Sequence, residues 1–299
     1  MSTAISLLQR IRNQLAGHNV ADAAHLARLL IAELGGVAMT DLAAGKDIQI
    51  NSQSAAAIEN AARRLIQGEP LHRILGAREF YGLKLALSPA TLEPRPDTET
   101  LVDLVLPFVH ETTDKTGCCR ILDLGTGSGA IALALLSAEP KAMAIGTDIS
   151  GPAVETALRN AHAHGLSDRF SGLVSDWYSA VTGTFDLIVS NPPYIATADL
   201  ARLDRNVREH DPLAALDGGP DGLSPYRVIA AGGLAHLAED GMIGVETGFD
   251  QRKSVDGLFA GHGFCLVEAR RDLGGNDRAM LFAPPGVHAA PNKKLGMAE

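Results

Sequence analysis

The chain is short of cysteine: it has three in 299 residues, with Cys118 and Cys119 adjacent and Cys265 alone. Thiols so few and so spaced form no disulfide framework, and their scarcity suits a reducing compartment. No apolar run approaches the ~20 residues needed to span a bilayer. Internal repeats and low-complexity stretches are missing as well. So is any excess of basic residues. Lys and Arg number 26 against 35 Asp and Glu, a net charge of −9, whereas proteins that hold duplex DNA present a basic field to the phosphates. The acidity is uneven, since residues 1–90 carry nine basic against seven acidic side chains and the remainder seventeen against twenty-eight. What is present is ordinary globular material, 46% hydrophobic and 20% charged, long enough for two domains. A soluble cytoplasmic protein is the expectation. Residues 1–21 hold Arg10 and Arg12 and no acid, which also suits a mitochondrial transit segment. The apolar face Ile5, Leu8, Ile11 and Leu15 favours an ordinary first helix.

The first seventy residues read as helices. A second stripe runs Ala23, Leu26, Leu30, Leu34 and is closed by Gly35-Gly36. A third helix opens near Ser52 or Ser54, carries Ile58, Ala61, Ala62 and Leu65, and stops at Gly68 before Pro70, with serine and glycine as the expected caps. The expected organisation is a helical domain over residues 1–76, a β-hairpin linker over 77–96, a larger domain over 97–285 and a tail over 286–299. In the hairpin, Phe80, Leu83, Leu85 and Leu87 alternate before a cluster of prolines.

Beyond residue 97 strand and helix patterns alternate. Strands are expected at 120–124, 142–148, 170–175, 185–190, 241–246, 264–269 and 279–282, with helices at 130–138 and 152–164, the second opened by Pro152 and ended by Gly165. This order implies a doubly wound α/β fold with a mostly parallel sheet and a ligand at the carboxyl ends of its strands.

The first strand of that domain runs into Asp123-Leu124-Gly125-Thr126-Gly127-Ser128-Gly129 and then a helix. Glycines there let the backbone approach a ligand, and the helix N-terminus offers free amide donors. Asp148 ends the next strand, where a carboxylate can accept both ribose hydroxyl protons. Two ligands compete. Gly125, Gly127 and Ala130 satisfy the dinucleotide fingerprint in its Gly/Ala form. S-adenosylmethionine uses the same acidic residue without a pyrophosphate, and Asp123 leans toward it, because its carboxylate can help hold a methionine ammonium directly or through water. The loop alone leaves the choice open.

Asn191-Pro192-Pro193-Tyr194 follows the strand at 185–190. Asn-Pro often opens a plain turn. Here, however, two prolines fix the backbone, so that the Asn191 side-chain oxygen and the Pro192 carbonyl can accept both protons of one planar NH2 group. Tyr194 offers an aromatic face to that plane. Such a grip suits a weakly nucleophilic amide or exocyclic amine, because it favours positive charge developing on nitrogen during transfer.

Taken together, Asn191–Tyr194 and Asp123–Ala132 resemble the amino-methyltransferases. Glu69-Pro70-Leu71, Arg78–Leu83, Thr91–Glu99, Ser175-Asp176-Trp177 and Asp272–Arg278 resemble in particular the PrmC/HemK family of peptide chain release factor glutamine methyltransferases. The resemblance implies a Rossmann-like class I S-adenosylmethionine-dependent fold behind a substrate-recognition helical domain. It also implies methylation of the glutamine amide nitrogen in the Gly-Gly-Gln motif of class 1 release factors, modulating translation termination. Gly125, Thr126, Gly127, Ser128, Gly129, Asp148, Trp177 and Asn191 would hold S-adenosyl-L-methionine, with Trp177 against the adenine. Asn191, Pro192, Pro193 and Tyr194 would grip the amide, and Phe80 would wall the acceptor pocket. The enzyme implied is monomeric, with neither DNA nor membrane as partner. Glu93, Tyr81 and Gly82 depart from the family pattern and bear on the shape of the pocket.

Other features read more plainly. His162 and His164 belong to a solvated helix, and Cys118-Cys119 lacks the second pair that zinc would need. Glu246 ends a strand on the ligand side, bordering the site or capping a loop. Arg202, Arg205 and Arg208 alternate with acids on a solvated face. An adenine methyltransferase would have to flip its base and grip phosphates, and the acidic larger domain weighs against it. A catalytically silent binding module would have lost the glycine loop or Asn191–Tyr194.

Overall fold

Helix-forming runs with apolar residues three and four apart build the first of two compact units. A computed structural model describes residues 2–286, so the expected tail lies outside the described residues except for Gly286. The first unit takes the chain to residue 78 together with 204–210, and the second takes the rest.

The first unit contains α1 (Ala4–Gly17), α2 (Ala23–Gly35), α3 (Met39–Ala43), α4 (Ser52–Ile66) and α5 (Leu71–Leu75), with two-residue strands β1 (Ser2–Thr3) and β2 (Gln49–Ile50) pairing antiparallel. Leu7, Ile11, Leu15, Leu30, Ile31 and Ile58 are its fully buried centre. The inward face of α1 is rotated from the expected one: Ala4 and Leu7 point in, and Ile5 and Leu8 are half-buried. The spacing Leu7, Ile11, Leu15 follows the i, i+4 row that packs best on a neighbouring helix. The cap of α4 is Asn51 rather than either serine, its Oδ1 accepting the Ser54 N–H at 2.8 Å. Asparagine and serine cap equally well, and Ser52 falls one residue too late.

The second unit starts at Glu79, within the hairpin of β3 (Ala77–Phe80) and β4 (Leu83–Ala86), which is turned by Tyr81 and Gly82, both at positive φ. The Tyr81 N–H donates to Glu99 Oε1. Phe80, expected on the resemblance to wall a pocket, is 1% exposed and lies with Leu83 and Leu85 in the main core. Asn160 holds Ala86 from both sides, Oδ1 accepting its N–H and Nδ2 donating to its carbonyl.

A seven-stranded sheet follows, built from β5 (Arg120–Leu124), β6 (Met143–Asp148), β7 (Phe170–Val174), β8 (Phe185–Ser190), β9 (Leu237–Glu246), β10 (Cys265–Arg271) and β11 (Asp277–Ala283) in the order β10-β11-β9-β8-β5-β6-β7. β11 runs antiparallel to both its neighbours, and the pairings from β9 through β7 are parallel. Around the sheet are α6 (Glu99–Thr116), α7 (Ala130–Ala138), α8 (Gly151–Ala163), α10 (Ser224–His236) and α11 (Arg252–Gly261); α9 (Arg205–His210) belongs to the first unit. From β5 the chain winds outward through β6 and β7, then returns to the other side of β5 as β8. That reversal is a topological switch point, the usual ligand crevice of an open α/β sheet.

Candidate active site

Leu124 and Ser190 are register partners at the carboxyl ends of β5 and β8. The glycine loop and the Asn191 segment therefore leave the sheet side by side. Gly125 and Gly127 have φ of 71° and 55°, a left-handed backbone that side chains resist. Thr126 pins the loop through its N–H to the Thr147 carbonyl. The Gly127 N–H donates to Asp148 Oδ2 at 3.0 Å and the Ser150 N–H to Oδ1 at 2.9 Å. Burial raises the Asp148 pKa, and those two amides oppose the rise.

Asp123 sits behind the loop with no exposure. Its Oδ2 accepts the Thr126 hydroxyl at 2.7 Å and the Ala132 N–H at 3.4 Å, while Oδ1 has no partner. Burial pushes its carboxyl up to about 6 against those two bonds. Asp123 is absent from the cavity wall, so the direct grip on an ammonium expected of it is not available in this arrangement.

A cavity of about 550 Å³ opens at the switch point, entirely within the second unit. That is within the range of small-molecule sites. Gly125, Thr126, Gly127, Ser128, Asp148, Trp177, Asn191 and Pro193 all line it. Gly129 stands just behind, where an added Cβ would meet Leu133 at 3.0 Å and Ala157 at 3.2 Å. Trp177 is half-buried with φ 50°, turned by the Ser175 hydroxyl donating to its carbonyl.

Pro192 and Tyr194 do not line the cavity. The Tyr194 hydroxyl instead donates to Glu246 Oε1 at 3.4 Å, and burial drives its pKa upward. The motif is clamped along its backbone. Gln251 Nε2 donates to the Tyr194 carbonyl at 2.9 Å. Gly218 and Gly222 press so close that a Cβ on either would fall 2.9 Å from the Pro193 carbonyl oxygen or 2.5 Å from the Tyr194 carbonyl oxygen. Asn191 Nδ2 donates to Thr98 Oγ1 at 3.2 Å.

Two stretches that sequence reasoning gave no site role also line the cavity: Leu92, Pro94, Arg95 and Thr98 before α6, and Asp217 to Gly219 before α10. The first was quoted only for its resemblance, and Arg95 there pairs with Asp211 at 2.6 Å. The glycine-rich run Asp217–Gly222 was the available signal for the second. Glu246 does not line the cavity; it is buried, and its Oε1 accepts the Tyr194 hydroxyl from the loop after β8. Among the described residues no cluster of His, Cys, Asp and Glu could hold a metal, and no helix is long and apolar enough to cross a membrane. His164 bonds through Nε2 to the Lys84 carbonyl.

Comparison with known proteins agrees with this architecture. Residues 6–76 match the PrmC N-terminal domain family and residues 102–206 the methyltransferase small domain. A protein of Agrobacterium fabrum named release factor glutamine methyltransferase is 53% identical over 271 residues, covering 91% of this chain and 94% of its own. One of the same name from Rhodospirillum rubrum is 48% identical over 85% of this chain and 77% of its own. Among solved structures, a methyltransferase from Pyrococcus furiosus superposes with a TM-score of 0.51 at 16% identity, over 76% of this chain and 99% of that one, and shares the fold.

Proposed function

The chain belongs to the PrmC/HemK family of release factor glutamine methyltransferases, and from that premise we propose that it transfers a methyl group from S-adenosyl-L-methionine to the glutamine amide of the Gly-Gly-Gln motif in class 1 release factors. One observation carries the reading: adjacent strand ends bring the glycine loop and Asn191 to a single cavity.

The residues present fit this donor. The loop glycines leave open space where a Cβ would stand at Gly125 and Gly127, so the donor's chain can lie against the backbone. Asp148 keeps lone pairs free beyond its two amide bonds, enough for ribose hydroxyls. The Trp177 indole walls the same cavity, suited to an adenine face. When bound, the donor supplies a methyl group activated by its sulfonium.

The acceptor is held by the motif. Asn191 Oδ1, on the cavity wall, accepts one amide proton of the substrate glutamine; Pro192 and Tyr194, which lie outside that wall, meet the acceptor beside it, the Pro192 carbonyl taking the second proton and Tyr194, tethered to Glu246, backing the amide plane. The amide nitrogen is a poor nucleophile. Two acceptors on its protons favour the positive charge that grows as its lone pair forms the new N–C bond. The electrons of the breaking S–C bond stay with sulfur, and one amide proton leaves after transfer, so no strong base is required beforehand. The helical unit serves as the substrate-recognition domain. The reading is of a monomeric cytoplasmic enzyme, and the net charge of −9 argues against a DNA partner.

The test offers labelled donor with unmethylated release factor and unmethylated DNA side by side, followed by peptide mass mapping. Label on the Gly-Gly-Gln glutamine is the expected result. Label confined to DNA would overturn the acceptor assignment.

A further inference from the structure

The Asn191–Tyr194 segment is short of hydrogen-bond donors. Pro192 and Pro193 carry no backbone N–H, so the stretch leading to Tyr194 cannot be pinned through donors of its own. The rings fix φ at both prolines, and what stays free is the rotation of the peptide planes that aims their carbonyls. The upstream end is held. β8 pairs with β5 and β9 as far as Ser190, and Asn191 Nδ2 donates to Thr98 Oγ1 at 3.2 Å. The downstream end has to draw its donor from elsewhere in the chain.

Gln251, the residue before α11, supplies one. Its Nε2 donates to the Tyr194 carbonyl at 2.9 Å and to the Gly222 carbonyl at 3.3 Å, while its Oε1 accepts the Gly248 N–H at 3.1 Å. A backbone N–H can only donate and a carbonyl can only accept, so these partners decide which end of the carboxamide is oxygen and which is nitrogen. The slot is built around this group: a Cβ on Gly222 would stand 2.7 Å from Nε2, and one on Gly248 would stand 2.9 Å from Oε1. Gln251 itself is half-buried and outside the cavity. It reaches the site through its neighbours. Beyond Tyr194, the Ile195 N–H donates to the Leu216 carbonyl and the Ile195 carbonyl accepts the Gly218 N–H, and Asp217, Gly218 and Gly219 line the cavity.

Resting on the reading of this site as a glutamine methyltransferase, we propose that Gln251 is a positioning residue whose amide nitrogen fixes the downstream end of the Asn191–Tyr194 segment, so that the Pro192 carbonyl and the Tyr194 ring meet the substrate amide in one orientation. The two ends of the carboxamide have separate duties. The Oε1 bond closes the turn from Gly248 to Gln251, which the Gln251 N–H also spans by donating to the Gly248 carbonyl at 3.1 Å. The Nε2 bonds leave that turn and tie the segment to the loop that carries Gly218, Gly219 and Gly222. Orientation of a bound amide governs the rate of transfer rather than the capture of a large substrate, so the effect falls on kcat.

The experiment compares wild type, Gln251→Glu and Gln251→Lys as full chains on intact release factor. It reads kcat, the KM for the factor, the donor Kd by calorimetry, and the melting temperature. Glutamate keeps an oxygen for Gly248 and loses the donor, whereas lysine keeps a donor for the Tyr194 carbonyl and loses the acceptor. Gln251→Glu lowers kcat roughly ten- to a hundred-fold, the scale of a misplaced reacting group, with KM and donor Kd each within about threefold. Gln251→Lys keeps kcat within about fivefold of wild type, whatever its melting temperature. A residue that only closes the turn gives the reverse order, with lysine damaged and glutamate intact, and that result overturns the proposal. A lysine variant that fails alongside glutamate overturns it too, as does a loss carried by KM or donor Kd instead of kcat. Where either variant does not fold, Gln251→Met, similar in length and without a donor, decides alone: a wild-type kcat overturns the proposal and a fall in kcat alone supports it. A wild type that leaves the glutamine unlabelled refutes the function itself, which is a separate result.

Discussion

On the proposed reading, Asn191 is the residue of the cavity wall on which the chemistry turns. Asn191→Ala removes the oxygen that accepts the substrate proton and leaves Gly125–Ser128 and Asp148 in place. The expected loss in kcat is about 10²–10³-fold, the scale of losing one preorganised polar contact at an acyl-transfer centre, with the donor Kd changed little by calorimetry. A near-normal rate would sink the amide grip. Asp123 has a different consequence. Its folded pKa of about 6 lies above the ordinary 3.8 because burial disfavours the charge. Its share of stability is therefore complete below pH 3.8 and is lost as pH rises through 6, with a slope of at most about 1.4 kcal/mol per pH unit. Asp123→Asn removes that slope, so urea midpoints of the variant should gain on wild type between pH 4 and 6.5; parallel curves would show that folding does not raise the Asp123 pKa. The placement of Gly125–Ser128, Asp148 and Asn191 at one cavity was legible because these residues stand at the ends of strands with clear apolar patterns. Thr98 was not, since its meaning lies in a hydrogen bond to a side chain 93 positions away. Glu246 was visible as a strand end, but its burial depends on Tyr226, Tyr194 and Arg278, which come from three other parts of the chain.

Elements dominated by one strong period declared themselves. β5, β8 and α7 have the bounds their sequences suggest, each a short apolar run ended by a glycine, a proline or a charge. α6, α10 and α11 carried no such signal. α6 holds Pro107 inside it, and α10 has Gly232 and Gly233 near its middle, where glycine costs about 1 kcal/mol relative to alanine. Tertiary packing explains why α10 keeps them. A Cβ on Gly232 would stand 2.5 Å from the Tyr178 ring, and one on Gly233 would stand 2.6 Å from Ile243. Tyr178 is itself fixed, stacked on His236 at 4.5 Å with its hydroxyl donating to the Ile229 carbonyl. Gly232→Ala should thus destabilise the protein by about 1–3 kcal/mol, the cost of overpacking, although alanine is the better helix former. Chemical denaturation would measure it, and a stabilised variant would mean that the Tyr178 ring moves aside freely. Sequence also misjudged the inward face of α1. Leu7 and Leu8 are equally apolar neighbours, and only the partner helices decide which of them is buried.

The two units differ in what each contributes to the whole molecule. The helical unit has a core of its own around Leu7, Ile11, Leu30 and Ile58, and none of its residues lines the cavity. The sheet unit holds the complete cavity and most of the acidity: residues beyond 90 carry seventeen basic against twenty-eight acidic side chains. On the proposed reading, donor binding belongs to the second unit, which supplies every residue lining the cavity, and recognition of a folded substrate belongs to the first. A chain starting at Glu79 separates the two roles. It leaves residues 204–210 without their packing partners, but none of these reaches the cavity. Its donor Kd should stay within about threefold of the full chain's, while kcat/KM on intact release factor drops roughly tenfold or more, as when one of two linked contacts is removed. On a short Gly-Gly-Gln peptide, which can occupy only the catalytic site, the two chains should be equal. The peptide comparison makes the test exact. If truncation slows peptide and factor alike, the helical unit supports the catalytic fold; if it slows neither, recognition resides in the sheet unit, and residues flanking the cavity such as Arg95 and Leu92 become its natural place.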